Sequence, residues 1–448
     1  MDNISFDVRD EYQRKPIAEK IIRLLESDTN VSPLVIDGNW GSGKTEFCKK
    51  LIRLIEDDAH NIKPIYVDAF KADHADEPLL TLMAAVLKAL PEPKREPLTK
   101  KAIPVIKFGI KTGLKAGVSW LLKQDTADLA EDFEADLKQA GDEVVNHAVE
   151  SLLADHVSVE EGIATLQKAL GELATEKPIA IFIDELDRCR PDFSVNMLEN
   201  IKHIFEVEGV QFVLIANFVQ LRTSINHCYG NALDAQKYLD RFVSFRFNLS
   251  ETYKPDGHNV VLASRTHLFN LISNSQLLQN SCLISESSSE LLDELVRSNS
   301  LSLREVEAFI RNLEIYQILT EGDGLNPRLY IGYSLLRIFG VYIFCFKPNV
   351  AMSINRGEID AGDIAEILDR ENYFCNFDGQ RISESEILLA MISSERIQNC
   401  DRYFPKDEET RNRWNRLFSE IFGGRMSRRE GMFQHAINEI IETLKLSR

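Results

Sequence analysis

In residues 14–26, RKPIAEKIIRLLE, the apolar positions Ile17, Ile21, Leu24 and Leu25 fall at the spacing of one helical face. The next apolar run, VSPLVID over 31–37, is short and ends at Gly38, which predicts a buried strand leading into a glycine turn. Past the turn, Phe47, Leu51, Leu54 and Ile55 resume helical spacing, and PIYVDAF (64–70) has the β-branched and aromatic content of a strand. The order strand, loop, helix, strand predicts an α/β unit built on a parallel sheet. Between about residues 78 and 176 the strand signals stop, and helical patterns interrupted by PEPKREP (91–97) predict a helical insertion. The sheet then resumes with IAIFID (179–184) and VQFVLIAN (210–217), nearly continuous apolar runs of the kind buried on both faces, with the helical FSVNMLENIKHIFE between them.

From about residue 250 onward SELLDELVRS, LREVEAFIRNLEIYQIL, RLYIGYSLLRIFGVYIFCF and EILLAMISSERI all read as helices. The last apolar run, 329–346, is interrupted by Arg337 and barely long enough to span a bilayer, so it reads as a buried helix. SESSSE (285–290) reads as an exposed loop. The expected organisation is an α/β core over 1–77 and 177–250, a helical insertion over 78–176, and an all-α C-terminal domain over 251–448.

A chain of 448 residues exceeds the size at which one core stops growing, which agrees with two or three folded units. With 44% hydrophobic and 27% charged residues, it has the composition of a globular protein that needs no staples. The net charge of −18 argues against direct nucleic-acid binding, whose affinity comes from clustered Lys and Arg. It leaves open a nucleoside triphosphate held by one loop, one helix end and one metal ion. Seven cysteines are scattered without a CxxC or Cys/His cluster, which excludes the look of a zinc site or disulfide framework and points to a reducing cytoplasm. The opening MDNISFDVRDEYQRK has no apolar core or small-residue cleavage site, so no signal peptide is read there.

GNWGSGKT (38–45) matches G-x-x-x-x-G-K-[ST] in the setting that gives the pattern meaning, after a strand and at a helix start. Gly38, Gly41 and Gly43 let the backbone turn its N–H groups toward phosphates, and the helix end near Lys44 adds a positive dipole. The cofactor-binding set is therefore Gly38, Asn39, Trp40, Gly41, Ser42, Gly43, Lys44, Thr45 and Glu46. Lys44 would serve the β- and γ-phosphates and Thr45 would ligate Mg²⁺. Trp40 has two readings, stacking on the nucleotide or anchoring the loop to its own domain, and the second is the simpler.

In IAIFIDELDRCRPD, a buried strand delivers Asp184 and Glu185 to its carboxyl end, where ligands of open α/β sheets bind. Asp184 is the expected metal residue beside Thr45, and Glu185 the group that orients and deprotonates the attacking water. Asn217, at the end of VQFVLIAN, either reads the γ-phosphate or is an ordinary turn residue. Asp187, Arg188 and Arg190 follow the acidic pair closely enough to lie at the same cleft edge. Arg188 would stabilise transition-state charge, against the alternative of a surface ion-pair network. Arg241 and Arg304 are further arginines with two readings, reaching the nucleotide from outside the sheet or ordinary surface charges, and the second is the simpler.

With those residues laid out, the chain resembles the KAP family of P-loop NTPases, a branch near the STAND and AAA+ ATPases. The likeness is carried by GNWGSGKTEF, IFIDELDRCRPD, NMLENIKHIF, VLIAN, KYLDRFVSFRFNL and LREVEAFIRNL, across roughly residues 10–320. It implies a nucleotide-binding α/β core, a large insertion between the two motifs and a helical region after the core. The 140 positions between Lys44 and Asp184 fit that insertion. Many relatives carry paired transmembrane helices there. The best candidate in this chain, 102–122, holds Lys107, Lys111 and Lys115, which argues against a crossing and leaves peripheral contact with an anionic membrane as a lesser reading than a helix packed on the protein. Glu185 stands where relatives often have a second Asp. Tyr12, Arg14 and Ile17 correspond to the region that usually holds adenine.

The expectation is an ATP-binding, ATP-hydrolysing enzyme using Mg²⁺, whose nucleotide cycle switches conformation or assembly. The helical domain would meet a protein partner or another copy of the chain. Relatives of this kind imply a role in bacterial anti-phage defence. Two alternatives from other classes are an ATP-gated scaffold with little turnover and a small-molecule kinase, the latter lacking a clear arginine-bearing lid.

Overall fold

The computed structural model describes residues 4–58, 60–73, 78–89, 163–204, 207–375, 381–395, 397–424 and 431–446. Most of the expected insertion, including the lysine-bearing stretch 102–122, lies outside the described residues. The chain divides into two compact units, Met1–Ser250 and Glu251–Arg448.

The first unit is built on five strands: β1 (Leu34–Asp37), β2 (Lys63–Asp68), β3 (Ile179–Asp184), β4 (Val210–Ala216) and β5 (Phe245–Asn248). They pair in the order β2-β3-β4-β1-β5, parallel throughout. The helices of this unit used below are α1 (Lys15–Leu25), α2 (Lys44–Asp57), α3 (Pro78–Ala89), α4 (163–174), α5 (Pro191–Ile204) and α6 (Phe218–Tyr229).

Successive side chains of a strand point to opposite faces, and the apolar runs therefore feed two separate cores. Val35, Ile181, Ile183, Phe212 and Leu214 pack with residues of α3, α4, α5 and α6, among them Leu82, Leu170, Phe193 and Leu221. Leu34, Ile36, Phe182, Val213 and Ile215 pack on the other face with Ile21 and Ile22 of α1 and Phe47, Leu51 and Leu54 of α2. The result is a sheet covered by helices on both sides, which is why β3 and β4 lack the alternation of a half-exposed strand.

Two features depart from the sequence reading. Helices α3 and α4 lie within the range read as insertion, yet Leu79, Leu82, Met83, Val86, Leu166 and Leu173 are buried in the core shared with β3 and β4. Their apolar faces belong to the sheet's own helical layer. The fifth strand carries no buried run: Phe245, Arg246 and Asn248 are exposed because β5 pairs only with β1, at the sheet's edge.

In the second unit the described regular structure is helical apart from a two-residue hairpin, Thr252–Tyr253 with Val261–Leu262. Capping boxes open two helices. Ser302 and Glu305 start Leu303–Leu319, and Ser383 and Glu386 start Glu384–Ser393, each pair exchanging side-chain and backbone hydrogen bonds. The stretch read as the loop 285–290 is instead a helix start, since Ser285 caps Glu286–Ser298 by accepting from the Ser288 N–H. Serine clusters suit helix N-termini as well as loops, because their hydroxyls satisfy the unpaired first-turn N–H groups.

Helix Ile331–Phe346 runs through this unit's core with Leu335, Phe339, Val341 and Tyr342 fully buried. Gly332 lies against the Phe422 ring and Gly340 against Ile440, so both need the absence of a side chain to pack. Among the described residues no single helix is long and apolar enough to cross a membrane; Ile331–Phe346 and Pro348–Arg356 together would reach that length, but they meet at a bend of 119°.

Candidate functional site

The carboxyl ends of β1, β4 and β3 lie side by side, with Asp37 level with Ala216 and Asp184 level with Ile215. The glycine loop leaves β1 and the acidic pair leaves β3, so the two motifs emerge at one sheet edge with β4 between them. Neighbouring strands lie about 4.8 Å apart, which separates the two strand ends by about 10 Å. Side chains close that gap.

The loop turns as its glycines allow, with Gly41 at φ 77° and Gly43 at φ 84°, the left-handed region that side chains disfavour. A Cβ on Gly38 would stand 2.9 Å from the Ser42 hydroxyl. α2 starts at Lys44. Lys44 Nζ donates to the carbonyls of Gly38 (2.7 Å) and Asn39 (3.1 Å). Burial holds the ammonium below its ordinary value, opposed first by Asp187 and then by Asp184, Asp37 and Glu185, so this lysine faces several negative groups at once.

From the other side, the Thr45 hydroxyl donates to Glu185 Oε1 at 2.8 Å. Asp184 accepts from Tyr66 OH at 3.0 Å and from the Glu185 N–H at 2.9 Å. Burial pushes the Asp184 carboxyl up to about 6, with Glu185 adding to the rise while hydrogen bonds from Tyr66 and Thr45 oppose it. Glu185 sits at φ 62°, a left-handed conformation for a residue with a full side chain, and such strain gathers at functional sites. Its Oε2 lies 2.6 Å from Arg188 Nε in an ion pair yet accepts no aligned hydrogen bond.

The other expected residues take distinct places. Trp40 is half exposed and donates its indole N–H to Asp187 Oδ2 at 2.7 Å, which ties the loop tip to the turn after β3. The side chain of Glu46 turns to Arg9 and Lys50 (both 2.8 Å) and away from the acidic pair. Asn217 Oδ1 caps α6, accepting from the N–H groups of Val219 (3.0 Å) and Gln220 (3.2 Å); a phosphate-reading role would fall to its amide nitrogen. Arg190 is committed to Asp73, with Nε on Oδ1 at 3.2 Å and Nη2 on the backbone carbonyl at 2.8 Å. Arg241 is exposed between helix Ala235–Leu239 and β5, and Arg304 belongs to the second unit.

Tyr66 was absent from the sequence reading. It sits level with Phe182 in the β2–β3 pairing, two positions before Asp68 faces Asp184. Only knowledge that β2 and β3 are neighbours brings it to the carboxylate, and that knowledge is not local.

The arrangement suits a nucleotide and a divalent cation. Ser42 Oγ is buried without a hydrogen-bond partner, and the first-turn N–H groups of α2 have no intrahelical acceptor. These orphaned groups on a glycine cradle fit phosphate oxygens, and the hard oxygens of Thr45 and Asp184 fit Mg²⁺. No group of three or more His, Cys, Asp or Glu that could hold a metal ion by itself is found among the described residues.

Comparison with known proteins gives a family. The model of the KAP family P-loop domain matches residues 14–320. No curated protein matches the chain. Among solved structures, that of the Aeropyrum pernix ORC2 protein in ADPNP and ADP complexes aligns at 12% identity and a TM-score of 0.36, covering 96% of this chain and 95% of that one.

Proposed function

The chain belongs to the KAP family of P-loop NTPases, and from that premise we propose that it binds ATP with Mg²⁺ and hydrolyses the β–γ phosphoanhydride. The observation that carries the proposal is the hydrogen bond between Thr45 and Glu185, which joins the phosphate loop to the acidic pair across one strand.

In this reading Lys44 exchanges its loop carbonyls for phosphate oxygens, and the N–H groups of the α2 N-terminus hold the same oxygens. Thr45 and Asp184 would hold Mg²⁺, which would supply charge neutralisation to the phosphates. Tyr66 fixes the rotamer of Asp184 through its hydroxyl. Glu185 orients the attacking water and takes its proton, and Arg188 sets the direction of that carboxylate through the ion pair. Phosphate release by the purified chain with ATP and Mg²⁺ tests the assignment; a protein that neither binds nor cleaves ATP removes it.

We extend the proposal to a nucleotide-driven switch in conformation or assembly, and, by family likeness, to a part in anti-phage defence. Mass by light scattering with and without a slowly hydrolysed ATP analogue tests the assembly switch. Loss of phage protection in cells carrying Lys44→Ala tests the biological role.

One observation favours a second reading, the ATP-gated scaffold. Arg188 already neutralises Glu185, so the base is restrained until something moves the arginine. Tight ATP binding without phosphate release selects that reading over the hydrolase.

A further inference from the structure

Arg14 immediately precedes α1 and is only 7% exposed. A guanidinium keeps its proton in proteins, so this is a full charge taken out of water. Buried charges are ordinarily paired with a carboxylate, yet none forms an ion pair with this one among the described residues. Nη2 donates to the backbone carbonyls of Ser42 (3.0 Å) and Ser250 (3.2 Å), the group lies over the Tyr12 ring at 5.2 Å, and Nε has no hydrogen-bond partner. Burial lowers its pKa below the ordinary guanidinium value, against the raising effect of Tyr12 first and then Glu46, Asp10 and Glu11.

The choice of carbonyl is informative. The Ser42 C=O and the Gly43 N–H share one planar trans peptide, so they point in opposite directions. A charged donor fixed on that carbonyl fixes the N–H facing away from Arg14. Gly43 is the left-handed residue that opens α2, and its N–H donates no hydrogen bond among the described residues. A cation on the carbonyl also polarises the peptide and makes that N–H a stronger donor. The same guanidinium grips Ser250, two residues past the end of β5, so the loop is braced against the sheet edge rather than against its own helix.

We infer that Arg14 is a positioning residue for phosphate: its guanidinium holds the Ser42–Gly43 peptide so that the Gly43 N–H is presented to the phosphate of a bound nucleotide. The inference rests on the nucleotide-binding reading of the site.

The test compares the full-length wild type with Arg14→Met, which keeps length and bulk without charge. Both are titrated with a fluorescent ADP analogue and then competed with ADP and with adenosine, and ligand-free melting curves establish that each is folded. We expect ADP to bind the variant about tenfold or more weakly, the worth of a charge-assisted hydrogen bond, while adenosine competes equally well or equally poorly against both proteins. ADP affinity within about twofold of wild type would overturn the inference, since a bond of this class accounts for more. Adenosine weakened by the same factor as ADP would also overturn it, by placing Arg14 on the base side or in the general fold. Should Arg14→Met fail to melt cooperatively, Arg14→Gln carries the test: it keeps an amide donor but no charge, the expected ADP loss is about threefold or more, and unchanged affinity overturns the idea. Failure of the wild type itself to bind ADP is a different result, and removes the nucleotide-binding reading on which the inference stands.

Discussion

The two units differ in where their unpartnered buried polar atoms fall. In the first, Arg14, Ser42, Lys44, Asp184 and Asp187 are all buried and belong to one loop, its flank and one strand end. Arg14 Nε and Ser42 Oγ, and Glu185 Oε2 beside them, lack hydrogen-bond partners, and Gln211 Oε1 is the one further such atom among this unit's described residues. In the second, the unpartnered buried atoms sit one each on Asp293, Tyr342, Ser393 and Asn438, which belong to four different helices. A polar group left unsatisfied in a core costs about 1–3 kcal/mol. Scattered singly, such groups are tolerated imperfections. Gathered at the end of a parallel sheet, they make a concentrated demand for a ligand, and the same contrast separates a site from a scaffold in a chain where both halves are well packed.

That contrast makes quantitative predictions. The largest effect is expected from Lys44→Ala, which should lower ATP-dependent phosphate release on the order of a thousandfold by removing the cation from the transferring group. Wild-type rates in this variant would break the contrast at its strongest point. Glu185→Gln should lower release by about a hundredfold or more while ATP binding persists, as expected for loss of a general base; a parallel loss of binding would show the residue to be structural.

In the second unit, Gly332→Val should cost about 1–3 kcal/mol of stability by driving a side chain into Phe422, with ADP affinity retained. Calorimetric melting and nucleotide titration read the two quantities separately. The smallest effect concerns Glu384, a buried carboxyl raised from 4.5 to about 7 by burial and by Glu290. A folded-state pKa above the unfolded one means the native state holds the proton more tightly. Its stabilising contribution is therefore full below about 4.5 and is lost as the pH rises through about 7. Melting of this unit should fall modestly as the pH rises from about 4.5 to about 7 and level off above that, and Glu384→Gln should flatten that dependence.

The sequence made some of this legible for physical reasons. GNWGSGKT is a local string whose flanks are a strand and a helix start, so the cradle was readable without tertiary knowledge. β3 and β4 were readable because burial on both faces leaves a continuous apolar run. β5 was not, since an edge strand with Arg246 and Asn248 exposed has no such run. Helices α3 and α4 showed amphipathic faces, but a pattern tells that a face is buried without telling what covers it. The partners Tyr66–Asp184, Trp40–Asp187 and Arg14–Ser42 span 118, 147 and 28 positions, and only the strand order and the packing of the layers create them.

Placing β4 between β1 and β3 has an evolutionary consequence. The two halves of the site hold station through lateral hydrogen bonding to a common neighbour, so their separation is set by strand pairing and not by the number of residues that join them. Accretion or trimming between Ala89 and Ile163 therefore leaves the strand pairing that sets the site in register, and is open to selection without recalibrating the chemistry at the strand ends.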